Sequence, residues 1–114
     1  MEDKNNFKVL HIGSSKDKGG TYTNTRTLEE FDDKPTLKEM QSWTDSGVIE
    51  VLTVMHEGEE CHAIIDEEGK FNTNNEINGM ATHKWWTYLR GNGFAWGQDM
   101  IVGNCTVLLN FELE

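Results

Sequence analysis

Four histidines, two cysteines and 20 acidic residues give this 114-residue chain ample material for a metal or catalytic site. His56, Cys61 and His62 lie close together in sequence, and imidazole and thiolate groups are typical zinc ligands. Cys61 and His62 are neighbours in a strand-like run, however, so their side chains point to opposite faces of a sheet. The chain also lacks a CxxC motif and an HxxxH motif. The spacing therefore predicts no metal site and no cofactor.

The spacing does not indicate nucleophilic catalysis or a phosphate loop either. A GxSxG motif is absent, and Cys61 and Cys105 lie in apolar runs, which predicts buried free thiols. A disulfide between them stays open if their strands are neighbours. Glycines and lysines do occur together in Gly13–Gly20, but a phosphate loop must lead into a helix, and the Thr-rich Thr21–Leu28 has strand composition. We therefore predict a hairpin loop at that position.

Glu50 is the one acidic residue inside an otherwise apolar run, Val48–Met55. We expect it at the margin of the sheet, with its carboxylate in solvent, because ionised carboxylates are rarely buried without a partner. A buried general base is the alternative. An enzyme built on this chain would depend on Glu50 or His62.

Three acidic runs dominate the charge pattern, and the formal net charge is −10. A field of this sign repels nucleic acid and anionic membranes and attracts cationic partners, so we expect no nucleic-acid or membrane partner. Acidic runs are commonly solvated turns, but they could also dock on a basic surface. The runs are Glu29 to Asp33, Glu57 to Glu60 and Asp66 to Glu68. The candidate binding residues among them are Glu57, Glu59 and Glu60.

A second candidate surface is aromatic. Trp86 lies about 100° around a predicted helix from the core-facing Trp85, and Phe94 and Trp96 follow in a glycine-rich loop. These side chains could form a stacking platform or an anchor for a partner, or they could cap a small core. The candidate phosphate contacts for a nucleotide ligand are Lys84, Arg90 and the Gly13–Gly20 loop.

Hydrophobic periodicity predicts the elements that must position these side chains. Strands are predicted at Phe7–Ile12, Thr21–Leu28, Val48–Met55, Cys61–Ile65 and Met100–Phe111. Thr36 and Glu39 form a capping box for a first helix, and Asn78 caps a second helix from about Met80 to Arg90. The order β-β-α-β-β-α-β predicts an α+β fold, with a single antiparallel or mixed sheet of about five strands and two helices on one face.

The pattern also predicts where the strands lie in the sheet. Val48–Met55 is apolar on both faces, which is typical of an interior strand. The polar second strand and the last strand are the edge candidates, and an edge could pair two copies into a homodimer. We expect one domain over residues 1–114, with residues 1–6 flexible. No signal peptide and no apolar run of membrane-span length is present, which indicates a cytoplasmic protein.

Three sets of residues, taken in order, resemble a small phage-associated family of unknown function. They are Leu37–Gln41 with Gly47–Val51, Ile65–Lys70 with Asn78 and Ala81–Thr82, and Asp99–Asn104. The resemblance covers residues 37–109, and Trp85–Gly97 departs from the family pattern, as does the Thr-rich second strand. It implies a phage-encoded protein that acts in the bacterial cytoplasm, and it supplies no catalytic residue. It also implies that Asp66–Lys70 is a recurring tight turn.

These observations predict a protein that acts by binding rather than by catalysis. The leading hypothesis is a small acidic phage accessory protein that interferes with a host bacterial protein, in host takeover or counter-defence, through its acidic turns and aromatic side chains. The alternative is a protein that sequesters a small nucleotide signal on the aromatic platform.

Overall fold

The computed structural model describes residues 6–16, 18–44, 47–69, 76–93 and 99–113. The elements follow each other as β1 (Phe7–Lys16), β2 (Tyr22–Phe31), α1 (Leu37–Ser42), β3 (Ile49–His56), β4 (Glu59–Asp66), α2 (Gly79–Gly91) and β5 (Cys105–Leu108). All four strand pairings are antiparallel, and they join the five strands into one sheet. The predicted α+β class, with one antiparallel sheet of five strands and two helices, is confirmed.

The order of strands in the sheet is β2-β1-β5-β4-β3, which corrects two expectations. β3 lies at an edge, not in the interior. α2 packs against one of its faces, where Val54 is buried, and on the other face Ile49 packs with the α1-face cluster while Val51 is exposed. The last strand is central rather than an edge, and it is short. Its four residues, Cys105–Leu108, are all buried between β1 and β4. β2 is the second edge, as expected.

The two helices pack on opposite faces of the sheet, so the expectation that both lie on one face is wrong. Met40 of α1 packs in a cluster with Val9 and Leu108, and Ala81 of α2 packs in another with Leu10 and Val107. Val9 and Leu10 are consecutive in β1, and consecutive strand residues point to opposite faces. We call these the α1 face and the α2 face. The sequence pattern predicted an apolar stripe on each helix, but it did not indicate which face of the sheet each stripe covers.

Both predicted helix caps are present. The Thr36 side chain accepts a hydrogen bond from the Glu39 N–H, and the Glu39 carboxylate accepts one from the Thr36 N–H, so the capping box is complete. The Asn78 side chain accepts from the Ala81 N–H at the start of α2. Side-chain caps of this kind satisfy backbone donors that have no partner within the helix.

A two-residue turn, Glu57–Gly58, connects β3 to β4, which confirms the turn predicted at His56–Glu60. Its φ angles are 50° at Glu57 and 81° at Gly58, the positive pair that a type I′ hairpin turn demands. Asn, Asp and Gly adopt this conformation readily, whereas Glu does not. The acidic turn therefore carries a strained residue at its tip.

Cys61 and Cys105 are free and buried, as expected. Cys105 of β5 pairs with Ile65 of β4, and Cys61 precedes Ile65 by four residues in the same strand. That offset is too long for a disulfide, whose Cα atoms lie within about 7 Å of each other. Burial raises the pKa of the Cys105 thiol to about 12 and also raises the pKa of Cys61.

Candidate functional site

The sheet register brings two of the three acidic runs to the same end of the molecule. At the start of β1, Phe7 pairs with Phe31, the last residue of β2. Two residues later in β1, Val9 pairs with Leu108 of β5, and Leu108 pairs with His62 of β4. The end of β2 and the β3–β4 turn therefore lie at one end of the sheet, separated by β1 and β5. We call this the acidic end; its exposed members are Glu29, Glu30, Asp32, Asp33, Glu57, Glu59 and Glu60.

The candidate residues Glu57, Glu59 and Glu60 all lie in the acidic end, but they do not point the same way. Glu59 and Cys61 share the α2 face, whereas Glu60 and His62 share the α1 face, because strand side chains alternate. Glu57 sits in the turn, with Oε1 at 3.8 Å from His56 Nε2. The turn thus presents negative charge around the whole tip of the hairpin.

The third acidic run lies at the opposite end of the sheet, after β4. Asp66 is buried, and its Oδ1 accepts a hydrogen bond from the Glu68 N–H at 2.8 Å, which is the geometry of an Asx turn. Glu67 and Glu68 are exposed. Glu50 is exposed at the same end, as expected, and borders a pocket of about 190 Å³ with Trp85. These contacts fit the tight turn implied for this run.

The aromatic candidates are only partly within the described residues. Trp86 is half-buried, and its Nε1 donates a hydrogen bond to the Asp99 carbonyl oxygen at 2.6 Å, so the edge of its ring is engaged. Phe94 and Trp96 lie outside the described residues. Helical geometry places Arg90 about 40° around α2 from Trp86, on the same side, and Lys84 about 200° away. Lys84 therefore cannot share a site with Trp86.

Lys84 instead lies over the α2 face of the sheet, against β3. Its Nζ is 2.9 Å from His56 Nδ1. Because an ammonium group only donates, Nδ1 is the acceptor and His56 is neutral, with its proton on Nε2. Burial is the main cause that lowers the pKa of both groups; Lys84 lowers the pKa of His56 further, and the charge of Arg26 lowers both. Arg26 was not a sequence candidate, and His56 was weighed only as a zinc ligand.

His11 forms a further polar cluster on the α1 face. Its Nε2 donates to Glu29 Oε1 at 2.8 Å, and its Nδ1 lies 2.8 Å from Thr106 Oγ1. The Trp43 ring meets the His11 ring edge-on, at 5.2 Å between centroids, beside a pocket of about 360 Å³. Since both ring nitrogens are engaged, the imidazole is fixed in orientation.

Two findings concern other kinds of site. Within the ranges that the structure describes, no group of three His, Cys, Asp or Glu side chains is arranged to hold a metal ion. No helix in those same ranges is long and apolar enough to cross a membrane.

Comparison with known proteins gives no relative. No protein-family model matches this chain, and neither a curated protein nor a solved structure matches it. The resemblance to a phage-associated family accordingly stays a prediction, and the function rests on the geometry above.

Proposed function

We propose that this chain is a small acidic binding protein whose acidic end and adjoining β2 edge engage a basic, extended segment of another protein. The observation that carries the proposal is the register, which assembles acidic runs some 27 residues apart in sequence, Glu30 and Glu57 for example, at one end of the sheet. In keeping with the sequence resemblance, the partner would be a host bacterial protein in the cytoplasm.

The edge strand β2 supplies the backbone for such a contact. It has ten residues, about 33 Å of strand, and among the described strands it pairs only with β1. Its outer edge presents N–H and C=O groups to which an extended segment can add as a further strand. Backbone pairing of this kind supplies affinity, and the side chains beside it supply specificity.

Two side-chain features lie beside this edge. Leu28 is 68% exposed on the α2 face and offers an apolar contact. Glu29, Glu30, Asp32 and Asp33 follow it directly, so positive side chains of an added strand would meet the acidic end. Complementary charge mainly accelerates association and selects the partner, and it weakens with salt.

The experiment is capture from bacterial lysate at low salt, followed by identification, purification and calorimetric titration of the captured protein. The acidic-end triple variant Asp32→Asn, Asp33→Asn, Glu60→Gln should weaken binding about tenfold or more. The matched control, Glu50→Gln, Glu67→Gln, Glu68→Gln, removes the same charge at the opposite end and should retain affinity. Equal loss in both triples would show only a net-charge effect and would overturn the proposal.

A second pair of variants tests the β2 edge. Leu28→Lys should repel a basic segment, whereas Leu37→Lys changes another exposed leucine, 57% exposed on α1, and should leave affinity unchanged. If light scattering instead shows a homodimer that only Leu28→Lys dissociates, a second copy occupies the edge and the basic partner is ruled out there.

A further inference from the structure

Three basic side chains from separate elements lie over the α2 face: Arg26 of β2, His56 of β3 and Lys84 of α2. We call them the basic cluster. Lys84 Nζ and His56 Nδ1 are 2.9 Å apart. Arg26 pairs with Ile12 and so shares the α2 face with His56, and α2 contacts both β2 and β3. Asn24 lies two residues before Arg26 on the same face, and its Oδ1 accepts from the Met80 N–H, one helical turn before Lys84, at 3.1 Å. The charge of Arg26 accordingly contributes to lowering the pKa of both His56 and Lys84. The cluster is made by the fold, because its members are 28 or more residues apart in sequence.

The positive charges of Arg26 and Lys84 repel each other, and this repulsion lowers the pKa of Lys84 after the larger effect of burial. Among the described residues, neither Arg26 nor Lys84 has a carboxylate oxygen within the 4.0 Å of an ion pair, although the chain has 20 acidic residues. The only nearby carboxylate that offsets the repulsion at both His56 and Lys84 is that of Glu57, among the groups described. Glu57 itself is held in a strained left-handed conformation. Like charges gathered against their mutual repulsion are typical of a site that receives an opposite charge.

We propose that Arg26, His56 and Lys84 bind the phosphoryl group of a small phosphate-bearing molecule. A guanidinium fork can pair with two phosphate oxygens, an ammonium adds a compact charge, and an imidazolium adds a further donor. The site differs from the partner surface proposed above, although Arg26 belongs to β2 and His56 adjoins Glu57 of the acidic end. It also changes the nucleotide alternative, since Trp86 lies on the other side of α2 and cannot stack on a ligand held by Lys84.

Binding at this site should take up a proton. In the free protein, burial, Lys84 and Arg26 lower the pKa of His56, and Glu57 raises it. A bound phosphoryl group adds negative charge, so it favours the imidazolium and raises that pKa. By linkage, the His56 ring should titrate at higher pH with ligand than without it.

The test uses the full chain with inorganic phosphate and, separately, a nucleoside monophosphate. NMR follows the His56 ring, and calorimetry in buffers of different ionisation enthalpy counts the protons taken up. Lys84→Met and Arg26→Gln should each weaken binding about tenfold or more, since hydrogen bonds to charged groups are strong. Glu57→Gln should strengthen binding, because it removes the carboxylate that competes with the ligand.

Lys8→Met is the matched control, since it removes one positive charge outside the cluster, where Lys8 faces Glu30. It should change affinity little. Lys84→Arg keeps the charge and should retain binding even if Lys84→Met perturbs packing. Binding of inorganic phosphate alone would identify the free ion as the ligand, and binding of the monophosphate would identify the ester. Any of three results would overturn the proposal. They are an equal loss of affinity in Lys8→Met and Lys84→Met, a His56 titration that ligand does not shift, and no binding at ligand concentrations up to about 10 mM.

Discussion

The β3–β4 turn joins both proposed surfaces through adjacent residues. Glu57 belongs to the acidic end, and His56 before it belongs to the basic cluster. The positive φ of Glu57 is the only one at a non-glycine residue in the described ranges. Strain of this kind persists where the surrounding structure imposes it, and it is often found at functional sites. A residue better suited to the turn should therefore stabilise the fold while altering the charge at both surfaces.

Replacing Glu57 with Asn should raise the free energy of unfolding by about 1 kcal/mol, because Asn tolerates the left-handed conformation that a type I′ turn requires. Urea denaturation measures the change. Glu57→Gln is the control: it removes the same charge and keeps the poor turn preference, so it should leave stability nearly unchanged. Equal stabilisation by both variants would assign the effect to charge and contradict the role of strain.

The neutral His56 should make stability depend on pH. Its pKa in the folded protein lies below the ordinary 6.5, so between these two values the unfolded chain binds more protons than the folded one. The free energy of unfolding should therefore fall as the pH falls from about 7 through the folded pKa. Burial is the largest cause of this shift; Lys84 and Arg26 lower the pKa further, and Glu57 raises it.

His56→Gln should reduce this loss, since glutamine cannot titrate and its Oε1 can still accept from Lys84. Urea midpoints measured across the pH range give the comparison. His83→Gln, at an exposed position of α2, is the control and should keep the wild-type profile. If His56→Gln keeps the wild-type slope, His56 is not the group responsible.

Asn78 connects α2 to the sheet and is fully buried. Its Nδ2 donates to the carbonyl oxygens of Ile12 and Gly103, at 2.9 Å and 2.8 Å. Its Oδ1 accepts from the Ala81 N–H and from Asn24 Nδ2. One side chain thus starts the helix and fixes it against β1, β2 and the segment before β5.

Asn78→Ala should destabilise the protein by about 4 kcal/mol, since each buried group left without a partner costs about 1–3 kcal/mol. Thr36→Ala is the matched control at the other helix, because Thr36 is an exposed cap; its loss should cost about 1 kcal/mol. Chemical denaturation measures both values. Equal costs would mean that Asn78 acts only as a helix cap and does not hold the elements together.

The elements that sequence predicts best are those specified by nearby residues. The capping box of Thr36 and Glu39, the Asn78 cap and the turn after β3 each depend on a few consecutive positions, and all three are present. The place of β3 at an edge and the opposite faces of α1 and α2 depend on contacts between distant segments. Hydrophobic pattern alone could not assign them, because β3 carries apolar residues on both faces, as an interior strand does, although Val51 is exposed.

The same limit explains the candidate sites. The exposure of Glu57, Glu59 and Glu60 follows from a local turn and was predictable. The basic cluster depends on the sheet register and on the rotation of α2, so the sequence did not indicate that Arg26 and His56 would join Lys84. Lys84 was predicted as a phosphate contact together with Trp86, from which helical geometry separates it.

Among the residues that the structure describes, the three acidic runs lie at two opposite ends of the sheet. A net charge of −10 opposes compaction through self-repulsion, and the acidic end concentrates seven carboxylates with only limited compensation. Glu29 contacts His11 and Glu30 contacts Lys8, whereas Asp32, Asp33 and Glu60 have no cation within ion-pair distance among the described residues. If these three carboxylates serve a partner, the free protein should be less stable because of them.

The triple variant Asp32→Asn, Asp33→Asn, Glu60→Gln should therefore raise the free energy of unfolding by about 1 kcal/mol at low salt while it weakens partner binding. Near 1 M salt the gain should disappear, because the screening length falls to about 3 Å. The opposite-end triple Glu50→Gln, Glu67→Gln, Glu68→Gln removes equal charge from a region where Glu68 donates its N–H to Asp66 in a turn, and it should stabilise less. Urea denaturation of both triples at two salt concentrations measures the difference. Equal stabilisation would show that net charge alone matters, and it would remove the energetic reason for treating the acidic end as a distinct surface.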